Sequence, residues 1–293
     1  MTTEQPWLLG LDLSPRSGGA LQFARWLRAT LCARVHGVHI SELWITGLVP
    51  NEGAAYMFTL RTEAERWLAT LDAGAAGSPV DEARIVDDVN AEGGLGTAAM
   101  GAPGIIVGRR VAGEGAWIRL GRVTRRLLRS SPAPVVVVPP ELATGAFPGP
   151  VVLASEIGED SVAAARFAVT LAQQLGRSLV CVHVGQPRWD EPPAADEPRW
   201  EQLRRKYRDA VQRKAREWAQ VHCPGAELVV EYGDPQERLT ATAAHLGACL
   251  LVVGTHRPGL LERFLVGSTS SALAATAGCA VAVVPAQLQC DEE

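Results

Sequence analysis

Halfway along its 293 residues this sequence starts again. Ile105-Ile106-Val107-Gly108 returns as Leu251-Val252-Val253-Gly254, and Gly121 returns as Gly267, each 146 positions later. Val135-Val136-Val137-Val138-Pro139 returns as Val281-Ala282-Val283-Val284-Pro285 at the same interval. Nearer the start of each copy the interval is 144: Val38-His39-Ile40 matches Val182-His183-Val184, and Asp12 matches Glu156. A two-residue length change inside the repeat reconciles the two values. The chain therefore reads as two copies of one domain, residues 1–143 and 150–293. The Gly- and Pro-rich stretch Thr144 to Pro150 is expected to be a short linker.

Within each copy, short β-rich runs alternate with longer helical patterns. Strands are expected near Trp7–Leu11, Val35–Ile40, Ala83–Asp87, Gly104–Val107 and Val135–Val138, and again near Val151–Ser155, Leu179–Val184, Glu227–Tyr232, Cys249–Val253 and Val281–Val284. Several are apolar throughout rather than alternating, as strands covered on both faces of a parallel sheet must be. Helical segments include Arg16–Ala33, Ser161–Leu175 and Trp200–His222. In the last, Leu203, Tyr207, Val211, Ala215, Trp218 and His222 share one stripe. The alternation predicts an α/β fold of two tandem doubly wound domains, each with a five-stranded parallel sheet. The terminal strands Val135–Val138 and Val281–Val284 would be hazardous as bare edges and are expected to pair repeat against repeat.

Composition narrows the function classes. With 47% hydrophobic and 20% charged residues, the chain is neither disordered nor fibrous. A net charge of −4 gives no long-range attraction to nucleic acid. Arg119, Arg122, Arg126 and Arg129 recur at helical spacing, but with no interleaved aromatics they read as a solvated or interface face. Ala272–Ala286, the nearest approach to a long apolar run, contains Gly278 and Pro285 and falls short of the ~18 residues a spanning helix needs. The N-terminal segment lacks the pattern of a secretory signal, so a cytoplasmic protein without membrane contact is expected. Six cysteines without a Cys-x-x-Cys pair read as reduced structural thiols rather than a metal site.

In a doubly wound sheet, ligands bind beyond the carboxyl ends of the strands. There the second copy places Gly254-Thr255-His256-Arg257-Pro258-Gly259 and then Gly267-Ser268-Thr269-Ser270. A glycine directly after a strand, followed by a Gly-Ser-Thr run opening a helix, could cradle phosphates. This segment resembles the universal stress protein family, whose nucleotide-binding members carry Gly, two residues, Gly, nine residues, Gly, Ser or Thr. Here Gly254, Arg257, Gly267 and Ser268 fit that frame, with Arg257 the departure. The resemblance runs over both copies and includes Asp12 after the first strand, Ile40 and Val184 ending the second, and Gly233-Asp234-Pro235 after the third. It implies a Rossmann-like fold of the adenine nucleotide alpha hydrolase type and an adenine-nucleotide site, with ATP, and Mg²⁺ as an accompanying ion, as the cofactor.

By that resemblance Ser155 and Glu156 would lie near the ribose, Val184 near the adenine, and Gly254, Thr255, His256, Arg257, Gly267, Ser268 and Thr269 around the phosphates. The first copy keeps Asp12, Ile40, Gly108 and Gly121, but Val111 stands at the second glycine and Arg122 at the hydroxyl position. It is expected to be the weaker site, with Arg109, Arg110 and Arg122 as candidate phosphate ligands. The implied function is a stress-response nucleotide sensor acting through conformation and protein partners, as a homodimer. A ligand-free dimerisation scaffold is the alternative. Neither a Walker lysine, an acidic metal cluster nor a Gly-x-Ser-x-Gly elbow is present, so an enzyme is not expected.

Overall fold

The computed structural model describes residues 5–42, 53–112, 119–186, 198–255 and 268–286. The first repeat runs β1 (Trp7–Gly10), α1 (Gly18–Leu31), β2 (Val35–Glu42), α2 (Gly53–Ala69), β3 (Glu82–Asp88), α3 (Ala91–Ala98) and β4 (Ile105–Gly108). A small hairpin, β5 (Val111–Ala112) with β6 (Arg119–Leu120), then leads into α4 (Arg122–Ser130) and β7 (Val135–Val138). The second repeat follows as β8 (Val151–Ala154), α5 (Val162–Leu175), β9 (Leu179–Gly185), α6 (Pro198–His222), β10 (Glu227–Tyr232), α7 (Pro235–His245), β11 (Leu250–Gly254), α8 (Ser268–Thr276) and β12 (Ala280–Val284).

Ten strands form one sheet in the order β3-β2-β1-β4-β7-β12-β11-β8-β9-β10. Within each repeat every pair is parallel, and the seam between β7 and β12 is antiparallel. At the seam Val137 faces Val281, Val136 faces Ala282 and Val135 faces Val283. Ala282 is the counterpart of Val136, so the middle pair joins equivalent residues and the outer pairs exchange them. That exchange is the signature of a local twofold axis. The terminal strands thus shield one another, as their apolar sequences require, and β7 and β12 are buried at every position. One face of the sheet carries a core shared by α1 and α5, including Phe23, Leu27, Phe167 and Leu171. The other carries Leu95, Leu127, Leu239 and Leu273 from α3, α4, α7 and α8. With both faces covered, the central strands have no position for a polar residue.

The two copies also agree in detail. Leu13 (φ 58°) and Ile157 (φ 53°), 144 positions apart, both hold the left-handed conformation just after β1 and β8. The N-caps Asn90 and Asp234 keep the same interval, bonding the amides of Gly93 at 2.7 Å and Glu237 at 2.9 Å. The length change then falls in the next helix: α3 has 8 residues and α7 has 11.

Three expectations need correction. Arg16–Ala33 is not one helix, because Pro15–Ser17 forms a 3₁₀ turn before α1 begins. Leu203 is 42% exposed, and the buried stripe of α6 continues through Ala215 to Ala219 and Cys223 instead. The stretch Thr144 to Pro150 is no loose linker, because Phe147 is buried against Phe23 and Trp26 with ring centroids 5.1 and 5.0 Å away.

Candidate functional site

The strand order reverses between β1 and β4, and a cavity of about 860 Å³ opens there at the carboxyl edge of the first repeat. Asp12, Ile40, Gly108, Gly121 and Arg122, the first-repeat positions singled out above, all line it. Asp12 is held by its neighbours. One carboxylate oxygen accepts the Ser14 amide at 3.0 Å and the Ser14 and Ser17 hydroxyls at 2.8 and 2.6 Å. An ionised carboxylate is acceptor-only, so its second oxygen suits a hydroxyl-bearing ligand. Beside it His39 donates through Nδ1 to the Leu11 carbonyl at 2.8 Å, which fixes the ring at the end of β2.

Gly108 has a role different from the one its position suggests. The next amide, Arg109 N–H, is donated to the Val138 carbonyl at 2.7 Å rather than offered to an anion. A Cβ on Gly108 would lie 3.0 Å from the Arg16 carbonyl oxygen, so this glycine lets the turn after β1 pack against β4. Gly254 repeats the arrangement, with a Cβ 3.1 Å from the Asp160 carbonyl and Thr255 N–H bonded to Val284 at 2.9 Å.

At the other end of the cavity the first-repeat donors are largely committed. Gly121 N–H bonds the Arg110 carbonyl at 2.6 Å and closes the β5–β6 hairpin that contains Val111. Arg122 pairs with Glu42 at 3.4 Å, and Arg126 pairs with Glu92. Burial alone would push the Glu92 carboxyl up, but Arg126, with a backbone amide and Arg122, holds it below the usual range. Arg109 is not a phosphate ligand: its guanidinium turns away, donating to the Ala277 carbonyl at 2.6 Å and to Glu141 at 3.1 Å. Arg110 and Arg125 do line the cavity. Thr124, in the first turn of α4, lines it too while only 5% exposed. The family frame points instead to Arg122, the position directly after Gly121. A hydroxyl two residues further on, at the same helix start, was the available signal.

In the second repeat, Arg257, His256 and Gly267 lie outside the described residues, and Ser268 is described only as the first residue of α8. Thr269 follows it, partly buried. Thr255 accepts the Ala286 amide through its hydroxyl at 3.2 Å. Val184 pairs with Glu231 one residue before β9 ends, and Ile40 pairs with Val86 two residues before β2 ends. The acid differs more. Ser161 accepts the Glu156 amide at 3.1 Å, whereas its counterpart Ser17 donates to the Asp12 side chain. Ser155 is buried, with its hydroxyl accepting the Ile157 amide at 3.0 Å and its carbonyl accepting His183 Nδ1 at 2.8 Å. Burial, reinforced by Lys214, holds the His183 imidazole below its ordinary value against the opposing pull of the Ser155 carbonyl and Glu156.

With two doubly wound halves of one sheet joined at a single seam, the sequence model of the universal stress protein family matches residues 5–139 and again 150–285. The chain belongs to the universal stress protein family. It is a tandem member, since the two matches cover both repeats. A universal stress protein of Mycolicibacterium smegmatis (strain ATCC 700084 / mc(2)155) is 32% identical over 190 residues, spanning 64% of this chain and 63% of that relative. The chain thus matches under two thirds of that relative's length. A universal stress protein from Archaeoglobus fulgidus DSM 4304 superposes with a TM-score of 0.65 at 17% identity, over 97% of this chain and 100% of the other. A functionally unknown protein from Pseudomonas aeruginosa PAO1 gives 0.59 at 18% identity, over 97% and 93%. At such identities the likeness is one of fold. No described helix is long and apolar enough to cross a membrane.

Proposed function

We propose that this tandem universal stress protein binds an adenine nucleotide in its first repeat and signals occupancy through its conformation to a protein partner. The observation that carries the reading is the cavity of about 860 Å³, which joins a fixed carboxylate, an apolar strand end and a helix N-terminus at the sheet's reversal point. Asp12 suits the ribose hydroxyls, Ile40 the base, and the first turn of α4 with Thr124 and Arg110 a phosphate. This assignment puts weight on the repeat whose motif is the poorer match. The second repeat is proposed to bind through Glu156, Val184, Gly254 and the start of α8.

A scaffold without ligand is the second reading, favoured by the commitment of Gly121 N–H to Arg110 and of Arg122 to Glu42. Mass spectrometry of small molecules released from gently purified protein separates the two. An adenine nucleotide near stoichiometric amounts supports the sensor. Its absence, together with no heat on titration with adenine nucleotides, supports the scaffold. Asp12→Ala is expected to weaken binding about tenfold, the loss of one hydrogen bond to a charged group. Homodimerisation remains part of the proposal. Since β7 and β12 are consumed within the chain, two chains must meet through another surface, and light scattering showing a single-chain mass would refute that part.

A further inference from the structure

The charges lining the first-repeat cavity nearly cancel. Three carboxylates, Asp12, Glu42 and Glu63, face four guanidiniums, Arg61, Arg110, Arg122 and Arg125. Arg61 is already matched outside the cavity, by Asp87 at 3.0 Å and Glu65 at 3.4 Å. That leaves three positive against three negative groups. Each phosphate added to a ligand brings charge that must leave water, and a neutral cavity has no surplus cation to offset it.

Glu42 sharpens the point by its position. Its Oε1 accepts the Ala91 N–H at the start of α3 at 3.0 Å and meets Arg122 at the start of α4 at 3.4 Å. A helix N-terminus is where an anion is stabilised readily, and at α3 the protein's own carboxylate already takes that place while also pairing with the Arg122 side chain. What remains for a ligand anion is modest: the first-turn amides of α4, the buried Thr124 hydroxyl and Arg110. That set matches one phosphate group.

We propose that the first-repeat cavity selects an adenine ligand carrying at most one phosphate, and that Glu42 is the residue that rejects longer phosphate chains. The inference rests on the reading that this cavity holds an adenine ligand. It is tested by titrating the full chain with adenosine, AMP and ATP, the last with and without Mg²⁺. Hydrogen exchange over residues 38–42 and 119–128 assigns each ligand to the first repeat. AMP or adenosine should bind there at least about tenfold more tightly than ATP, as one unfavourable charge contact at a few ångströms would produce. Glu42→Gln keeps an acceptor for the Ala91 amide but removes the charge. It should raise ATP affinity about tenfold and leave adenosine within about twofold. Glu42→Asp, which keeps the charge, should preserve the wild-type order. Tighter binding of ATP than of AMP in this cavity would overturn the proposal, as would a Glu42→Gln effect equal for all three ligands. If none of the three protects either segment, the nucleotide reading itself fails, and this inference falls with it.

Discussion

Asp81 ties three elements together with one side chain. Its Oδ1 accepts Arg28 Nε of α1 at 3.0 Å, its Oδ2 accepts the Val35 amide opening β2 at 2.8 Å, and it stands directly before β3. Burial opposes ionisation there, yet the Arg28 and Val35 hydrogen bonds and nearby positive charge outweigh it, so the carboxyl titrates below its ordinary 3.8. A depressed folded-state value means that the stabilisation is present above pH 3.8 and lost as pH falls through the lower folded value. Asp81→Asn is expected to cost about 1–3 kcal/mol in urea unfolding at neutral pH. His183 pulls the same way for a different reason. Its folded value lies below the ordinary 6.5, so on acidification the unfolded chain takes up the proton first. Stability should therefore be full above pH 6.5 and decline as pH falls below it. His183→Asn keeps a donor toward the Ser155 carbonyl and should flatten the dependence of the urea midpoint just below pH 6.5; an unchanged slope would show that other groups carry it. At this scale the site was half legible. Asp12 and Ile40 could be read because each lies at the end of a recognisable apolar run. Glu42 could not, because its meaning comes from which helix starts abut it in space.

The backbone at the repeat boundary is set by Gly149, with φ at +82° and a notional Cβ only 2.2 Å from the Gly247 carbonyl oxygen. Gly176, at φ +62°, ends α5 with open space around it. Gly176→Ala should cost about 1–2 kcal/mol from left-handed backbone alone. Gly149→Ala adds a collision between two backbones and should lower the melting temperature by clearly more; equal losses would show that the boundary can shift aside. Element positions were legible wherever a strand is apolar throughout, as in Val135–Val138 and Val281–Val284. They failed where polarity misled. Ser41 and Glu42 look like loop, yet the ladder of β2 with β3 runs through both, which is how Glu42 comes to stand in the cavity. The β5–β6 hairpin left no readable pattern, since two-residue strands carry too few side chains to show an alternation.

Across the whole molecule, Arg109 joins the repeats. It follows β4 beside the first cavity and reaches Ala277, the residue directly after the opposite repeat's α8, whose first residue, Ser268, belongs to the family motif. The counterpart position holds Thr255, which is satisfied within its own repeat, so the tie runs in one direction only. Arg109→Ala removes a largely buried charged donor from the Ala277 carbonyl and should cost about 1.5–3 kcal/mol. Faster hydrogen exchange at the C-terminal end of α8 is the expected readout, and unchanged exchange would show that α8 is held by packing alone. The seam between β7 and β12 has a further consequence. Two separate copies meeting there would part on dilution, whereas a short covalent connection keeps the partner's effective concentration in the millimolar range whatever the abundance of the protein. In a symmetric pair of identical copies, each substitution is imposed on both sides of the axis at once. Here Arg109 stands where the other repeat has Thr255, and Asp12 where it has Glu156, each change being made once and judged on its own side. A fused seam thus frees the two halves to diverge in sequence without ever having to find each other.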